Sequence, residues 1–164
     1  MIQAFLVLFG HLQKLVKGLM VRLKHRYVVG QALLLDSRQG GGSNSAREAD
    51  LHPRDIVGAV KDKLQLLYGD MGGGQYGSAL ALKYLDSDSL IFVLRSSRDG
   101  ETQTRFAMTA VDSIKSIPLS IRTLACCGSV RTTRSKLGEL LCIAEGADDD
   151  RCVQIHSEMA NLDL

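Results

Sequence analysis

The segment that most constrains this chain is Leu90-Ile91-Phe92-Val93-Leu94. Successive side chains of a strand point to opposite faces, so five consecutive apolar residues demand cover on both sides of the sheet that contains them. Just upstream, Ala79 to Leu85 alternates, with Leu80, Leu82 and Tyr84 on one face. Asp86-Ser87-Asp88-Ser89 lies between the two runs, and its short polar side chains bond the local backbone of a turn, so the pair reads as a hairpin.

The rest of the chain supplies the partners of that hairpin. Arg26 to Leu35 (RYVVGQALLL) is β-branched and apolar enough for a strand. Pro53 fits the first turn of a helix that puts Ile56, Val57, Val60, Leu64 and Leu67 on one face, and the glycines at 69, 72, 73 and 74 are expected to end it. From Glu101 a second helix is expected to turn Phe106, Ala107, Ala110, Val111 and Ile114 inward until Pro118 stops it. Leu119 to Cys127 reads as a further strand. A helix with Leu137, Leu140, Leu141 and Ala144 on one side follows, and Ile155, Met159 and Leu162 mark a terminal helix.

The order β-α-β-β-α-β is that of an α+β, ferredoxin-like or RNA-recognition-like sandwich: a four-stranded antiparallel sheet with helices on one face, here with an additional C-terminal helix. Right-handed crossovers put both intervening helices on the same side. The other face is then free, and the two-sided apolar strand asks for a partner there.

Three stretches stand apart from this core. Residues 1–19 hold Phe5, Leu8, Phe9, Leu12, Leu15, Val16 and Leu19 at helical spacing and read as an amphipathic N-terminal extension, which is upstream of the native start if Met20 opens the protein. Their charges follow the apolar run, opposite to a secretory signal, and the run is shorter than the about 20 residues of a membrane span. Residues 37–50, with three consecutive glycines, read as a mobile loop inside a domain of residues 20–144. Residues 145–164 read as an acidic tail. They carry six carboxylates against Arg151 alone, whereas the preceding residues carry 19 basic and 12 acidic groups. A basic body with an acidic end fits a nucleic-acid partner, or a solvated tail that balances charge.

Few constellations carry chemistry of their own. At 164 residues and 45% apolar, the chain can bury a core without disulfides or a metal. Cys126, Cys127, Cys142 and Cys152 have no zinc-ligand spacing and read as interior thiols, or as one reactive thiol among them. The histidines 11, 25, 52 and 156 are dispersed. Gly72 to Gly77 matches G-x-G-x-x-G, but with a helix before it and a strand after, the reverse of what a pyrophosphate cradle requires.

The basic residues are more informative. Arg22, Lys24, His25 and Arg26 cluster where the first strand begins, and Arg131, Arg134 and Lys136 where the third helix begins. A helix start presents free N–H groups, so Ser129, Thr132, Thr133 and these cations are candidates to hold phosphates; solvated basic ends are the plainer alternative. No aromatic base-reading run of an RNA-recognition motif is present, which favours a protein partner for the sheet face.

Three segments, MVRLKHRYVVGQALLLD at 20–36, SALALKYLDSDSLIFVLRSSRD at 78–99 and GSVRTTRSKL at 128–137, resemble the small protein subunit of eukaryotic and archaeal ribonuclease P and ribonuclease MRP, the "processing of precursors, subunit five" family. The resemblance spans about residues 20–144. It implies a non-catalytic, RNA-binding subunit of an RNA-based endonuclease that removes 5′ leaders from precursor tRNA and, in ribonuclease MRP, acts on rRNA. It implies as partners the catalytic RNA and a TIM-barrel-like subunit, no cofactor on the protein, Mg²⁺ in the RNA, no membrane, and a nuclear and nucleolar location if the host is eukaryotic. Carried over residue by residue, it assigns RNA contacts to Arg22, Lys24, His25, Arg26, Arg131, Arg134 and Lys136, and no catalytic or metal-binding residue. The chain departs from the family in its 1–19 extension, in its Gly-rich loop and at Gly30-Gln31, where an acidic residue is common.

Two other classes stay open at this point. One is a ferredoxin-like protein-interaction module without RNA binding. The other is a small enzyme of the same fold, such as an acyl phosphate hydrolase, which would need an anion-binding Arg loop that the Gly-rich segments lack.

Overall fold

A computed structural model describes residues 24–35 and 51–164. The expectations for residues 1–19, for Arg22 and for the loop 37–50 lie outside the described residues.

The described residues form strands β1 (His25–Leu34), β2 (Ala81–Leu85), β3 (Ile91–Ser97), β4 (Ser113–Ile114) and β5 (Ile117–Cys127). The helices are α1 (Pro53–Gly77), α2 (Glu101–Thr109), α3 (Val130–Glu145) and α4 (Asp149–Ala160). All strand pairs are antiparallel, in the order β2-β3-β1-β5-β4. The four longer strands thus take the ferredoxin-like arrangement, with β4 as a short addition at one corner.

The hairpin β2–β3 turns as expected. Asp86 Oδ2 accepts from the Ser89 N–H at 2.8 Å and from its hydroxyl. Leu90 takes a positive φ of 53°, a conformation that costs a bulky residue strain and leads the chain into β3. A register shift between Leu82 and Tyr84 changes which way β2 faces. Leu82 packs with α1 and α2, whereas Tyr84 packs on the opposite side, so the three residues expected on one face are split between two.

Helix α1 buries Ile56, Val60 and Leu64 as the spacing predicts. The glycines do not simply end it. Gly69, at φ 69°, interrupts the helix, which then resumes and runs to Gly77, so the G-x-G-x-x-G match is helical and forms no phosphate loop. Helix α2 is shorter than expected and turns Thr104, Ala107 and Met108 inward, leaving Phe106 57% exposed. Val111 and Ile114 are still buried, but on the far side of α2, where the chain enters the two-residue turn Lys115-Ser116 between β4 and β5. Both turn residues have positive φ, which matches the twist of a tight hairpin.

One face of the sheet, with Val28, Ala32, Phe92, Leu94, Leu119 and Ile121, packs against α1 and α2. Gly30 belongs to that packing: a Cβ there would stand 2.7 Å from Phe92 Cζ and 2.8 Å from Met108 Cε, so the ring crosses the strand only because the side chain is absent. Ser96 and Thr104, both fully buried, satisfy each other at 2.9 Å.

The second face is not free. Tyr27, Val29, Ile91 and Val93 pack with Leu137 and Leu141 of α3, Ile155 and Met159 of α4, and Leu164. The two-sided apolar strand is therefore covered by the chain's own C-terminal helices, not by a partner. Residues 149–160 of the acidic stretch form α4, whose apolar positions complete this second core while its carboxylates face water.

Candidate nucleic-acid interface

Antiparallel pairing sets the geometry of the basic residues. His25 lies opposite Ser97 and Tyr27 opposite Arg95 in β3, and the Arg98 N–H donates to the Lys24 carbonyl at 2.9 Å. On its other side Tyr27 pairs with Cys127 of β5, so the chain passes through Gly128 and Ser129 into α3 beside the start of β1. The Arg26 guanidinium rests on Gly128, where a Cβ would come within 2.7 Å of Nη1. The two basic clusters of the sequence thus meet at one end of the sheet.

Ser129 caps α3. Its Oγ accepts from the Thr132 N–H at 3.2 Å, while its carbonyl accepts from the hydroxyls of Thr132 and Thr133. These three hydroxyls, candidates to help hold phosphates, form the cap of the helix. Among the described residues Lys24, Arg26, Arg95, Arg98 and Arg131 have no carboxylate partner within 4 Å.

The other expected residues divide. Arg134 turns toward the C-terminus and donates to the Leu162 carbonyl. With Arg131, Ser135, His156 and Ala160 it lines an open cavity of about 260 Å³ between α3 and α4. His156 packs over Gly138, where a Cβ would come within 2.6 Å of its Nδ1. Lys136 is committed to Glu139 at 2.7 Å, an exposed pair in which each partner holds the other charged. His25 sits half-buried at the start of β1, its Nδ1 buried without a hydrogen-bond partner.

From the sequence, Arg95 and Arg98 read as part of a basic loop and not as site residues. The signal was present in the run Arg95 to Gly100, and the register of β1 against β3 gives it meaning. His156 was equally invisible, because only the packing of α4 on α3 brings it to Arg131 and Arg134.

Cys126 and Cys152 offer little reactivity. Cys126 is exposed rather than interior, yet partial desolvation, with Glu101 beside it, pushes its thiol up to about 11, and the contact with Cys142, with desolvation, does the same for Cys152. A thiol at that level is protonated at neutral pH and a poor nucleophile. Among the described residues no three His, Cys, Asp or Glu side chains converge as metal ligands, and no helix is long and apolar enough to cross a membrane.

Comparison with known proteins adds three findings. The model of the Rpp14/Pop5 family matches residues 26–138. A curated protein of Arabidopsis thaliana, "Probable ribonuclease P/MRP protein subunit POP5", is 27% identical over 115 residues, covering 70% of this chain and 75% of that protein. Among solved structures, a chain of yeast ribonuclease MRP determined by cryo-electron microscopy aligns over 79% of this chain and 95% of its own, at 14% identity and a TM-score of 0.47.

Proposed function

The chain belongs to the Rpp14/Pop5 family, and from that premise we propose that it is a non-catalytic, RNA-binding subunit of ribonuclease P, and of ribonuclease MRP where that particle exists. The observation that carries the proposal is the end of the sheet where β1, β3 and the start of α3 come together: Arg26, Arg95, Arg98 and Arg131 lie within the matched residues and Lys24 just before them, and none of the five has a carboxylate partner among the described residues. The Arabidopsis relative supports it through its name.

In this reading the protein contributes charge. Each phosphate met by an Arg or Lys releases condensed counterions, and such contacts fix the orientation of a protein on RNA without reading bases. The guanidinium groups suit phosphate because they donate in a planar fork. Phosphodiester cleavage, the removal of 5′ leaders from precursor tRNA or the cutting of rRNA precursors, belongs to the catalytic RNA and its Mg²⁺. The described residues form no site that fits that ion. Partners are the catalytic RNA and the other protein subunits of the particle, including the TIM-barrel-like one, and the expected location in a eukaryote is the nucleus and nucleolus.

The test is a salt titration of binding to the catalytic RNA. Wild type should lose affinity steeply with salt, and Arg26→Ala combined with Arg131→Ala should weaken binding and flatten the log–log slope by about 2 while the melting temperature holds. Binding by wild type that ignores salt would refute the proposal.

A further inference from the structure

A second site lies between α3 and α4, at the cavity that Arg131, Arg134, Ser135, His156 and Ala160 line. Arg131, Arg134, Ser135 and Gly138 fall on one stripe of α3, at the spacing of successive turns, and His156 and Ala160 on one stripe of α4. The approach of the two stripes depends on Gly138, which leaves the His156 ring room against α3. The lining holds no carboxylate. Arg131 and Arg134 have no ion pair among the described residues. Arg134 donates through Nη2 to the Leu162 carbonyl, a neutral acceptor that orients the guanidinium, and its Nε is buried without a hydrogen-bond partner. Glu139, whose carboxyl feels the His156 charge, is held by Lys136 at 2.7 Å and lies outside the lining.

We infer that this cavity holds a phosphate group of RNA, with Arg131, Arg134 and Ser135 of α3 and His156 of α4 as its donors. The inference rests on the RNA-binding reading above and carries it past the family match, which ends at residue 138, onto α4. A charged donor that is buried without a partner costs folding free energy, and its complement is an anion. Phosphate fits the set better than a carboxylate does. Its oxygens point in several directions, and here guanidinium forks, a hydroxyl and an imidazole approach from two helices. Two carboxylates of the acidic stretch are engaged elsewhere, since Glu145 and Glu158 approach Arg151 at 3.5 and 3.8 Å.

The experiment places a carboxylate in the cavity of the full chain. Ala160→Glu, at an exposed lining position, should weaken binding to the catalytic RNA roughly tenfold and flatten its log–log salt slope by about 1 while the melting temperature holds. Gln154→Glu adds the same charge to α4 outside the lining and should bind like wild type. In nuclear magnetic resonance spectra the His156 imidazole signals should shift when RNA is titrated into wild type and stay in place in Ala160→Glu. Inorganic phosphate is the second probe: it should raise the wild-type melting temperature and move the same signals, and do neither in Ala160→Glu. If Ala160→Glu binds RNA like wild type while Arg26→Ala with Arg98→Ala weakens it, the inference fails and the RNA-binding reading stands. If wild type binds no RNA at low salt, both fail, and a His156 shift with inorganic phosphate would then assign the cavity to a free phosphate. If Ala160→Glu and Gln154→Glu weaken RNA binding equally, the effect belongs to the net charge of α4 and the inference is overturned.

Discussion

On one face of the sheet Phe92 and Leu94 meet α1 and α2, helices that connect strands of the sheet; on the other Ile91 and Val93 meet α3 and α4, which follow the last strand. The first cover is woven into the strand order, so it cannot leave without disrupting the sheet. The second is appended, and its α4 carries most of the acidic stretch outward while burying Ile155 and Met159. It also carries Arg131 and Arg134, so the face that a free-standing ferredoxin-like sheet would leave open has become both a hydrophobic lid and the support of a basic surface. The apolar strand β3 requires cover on each side but does not say who provides it.

The contrast is tested most severely by emptying each core in turn. Phe92→Ala removes the largest side chain of the first core and should cost about 3–5 kcal/mol, read as a fall in the urea midpoint, with amide protection lost in every strand. Ile155→Ala on the second face should cost about 2–5 kcal/mol, with protection lost mainly in α3 and α4. If Ile155→Ala instead exposed β1 and β3 as fully as Phe92→Ala does, the two faces would form one cooperative unit and the distinction between woven and appended cover would fall.

Much of this architecture was legible because its signals are local. The turn at Asp86, the proline at 53 and the period of Ile56, Val60 and Leu64 each act within a few residues. The occupant of the second face was not legible. Ile155 and Met159 show helical spacing, but Glu145, Asp148, Asp149 and Asp150 just before them dominate the composition, and nothing in the spacing says where such a helix docks. A helix running on to Pro118 would turn Phe106 inward; the positive-φ turn at Lys115-Ser116 replaces its last turn with a hairpin, and no glycine marks the spot. The basic site was half visible: the clusters at Lys24 to Arg26 and at Arg131 can be read, but that Arg26 reaches Gly128 at the start of α3 depends on β5 pairing beside β1.

A smaller effect separates the two roles of the appended cover. Ser129→Ala deletes the cap of α3 and should cost about 1 kcal/mol. Ser129→Asp keeps a capping oxygen and adds negative charge beside Arg26 and Arg131, so it should hold the melting temperature near wild type and weaken RNA binding. If both variants changed stability and RNA affinity in parallel, the helix start would act on RNA only through folding.

The smallest effect belongs to the woven cover. Lys115, in the β4–β5 turn, reaches Asp55 in the first turn of α1 at 2.7 Å, and Lys63 reaches Asp112 at 3.0 Å. The Lys115 hydrogen bond holds the Asp55 carboxyl below its ordinary value of 3.8. A carboxylate with a lowered native pKa stabilises the fold above its unfolded value, and that contribution is lost as pH falls through the native one. Lys115→Met should therefore lower the melting temperature slightly at neutral pH, as solvent-screened pairs contribute little, and the difference from wild type should close as pH falls through the lowered Asp55 value. A gap that persisted unchanged into acid would mean that Lys115 acts through its alkyl stem and its backbone at φ 47°, tying the hairpin to α1 by packing and not by charge.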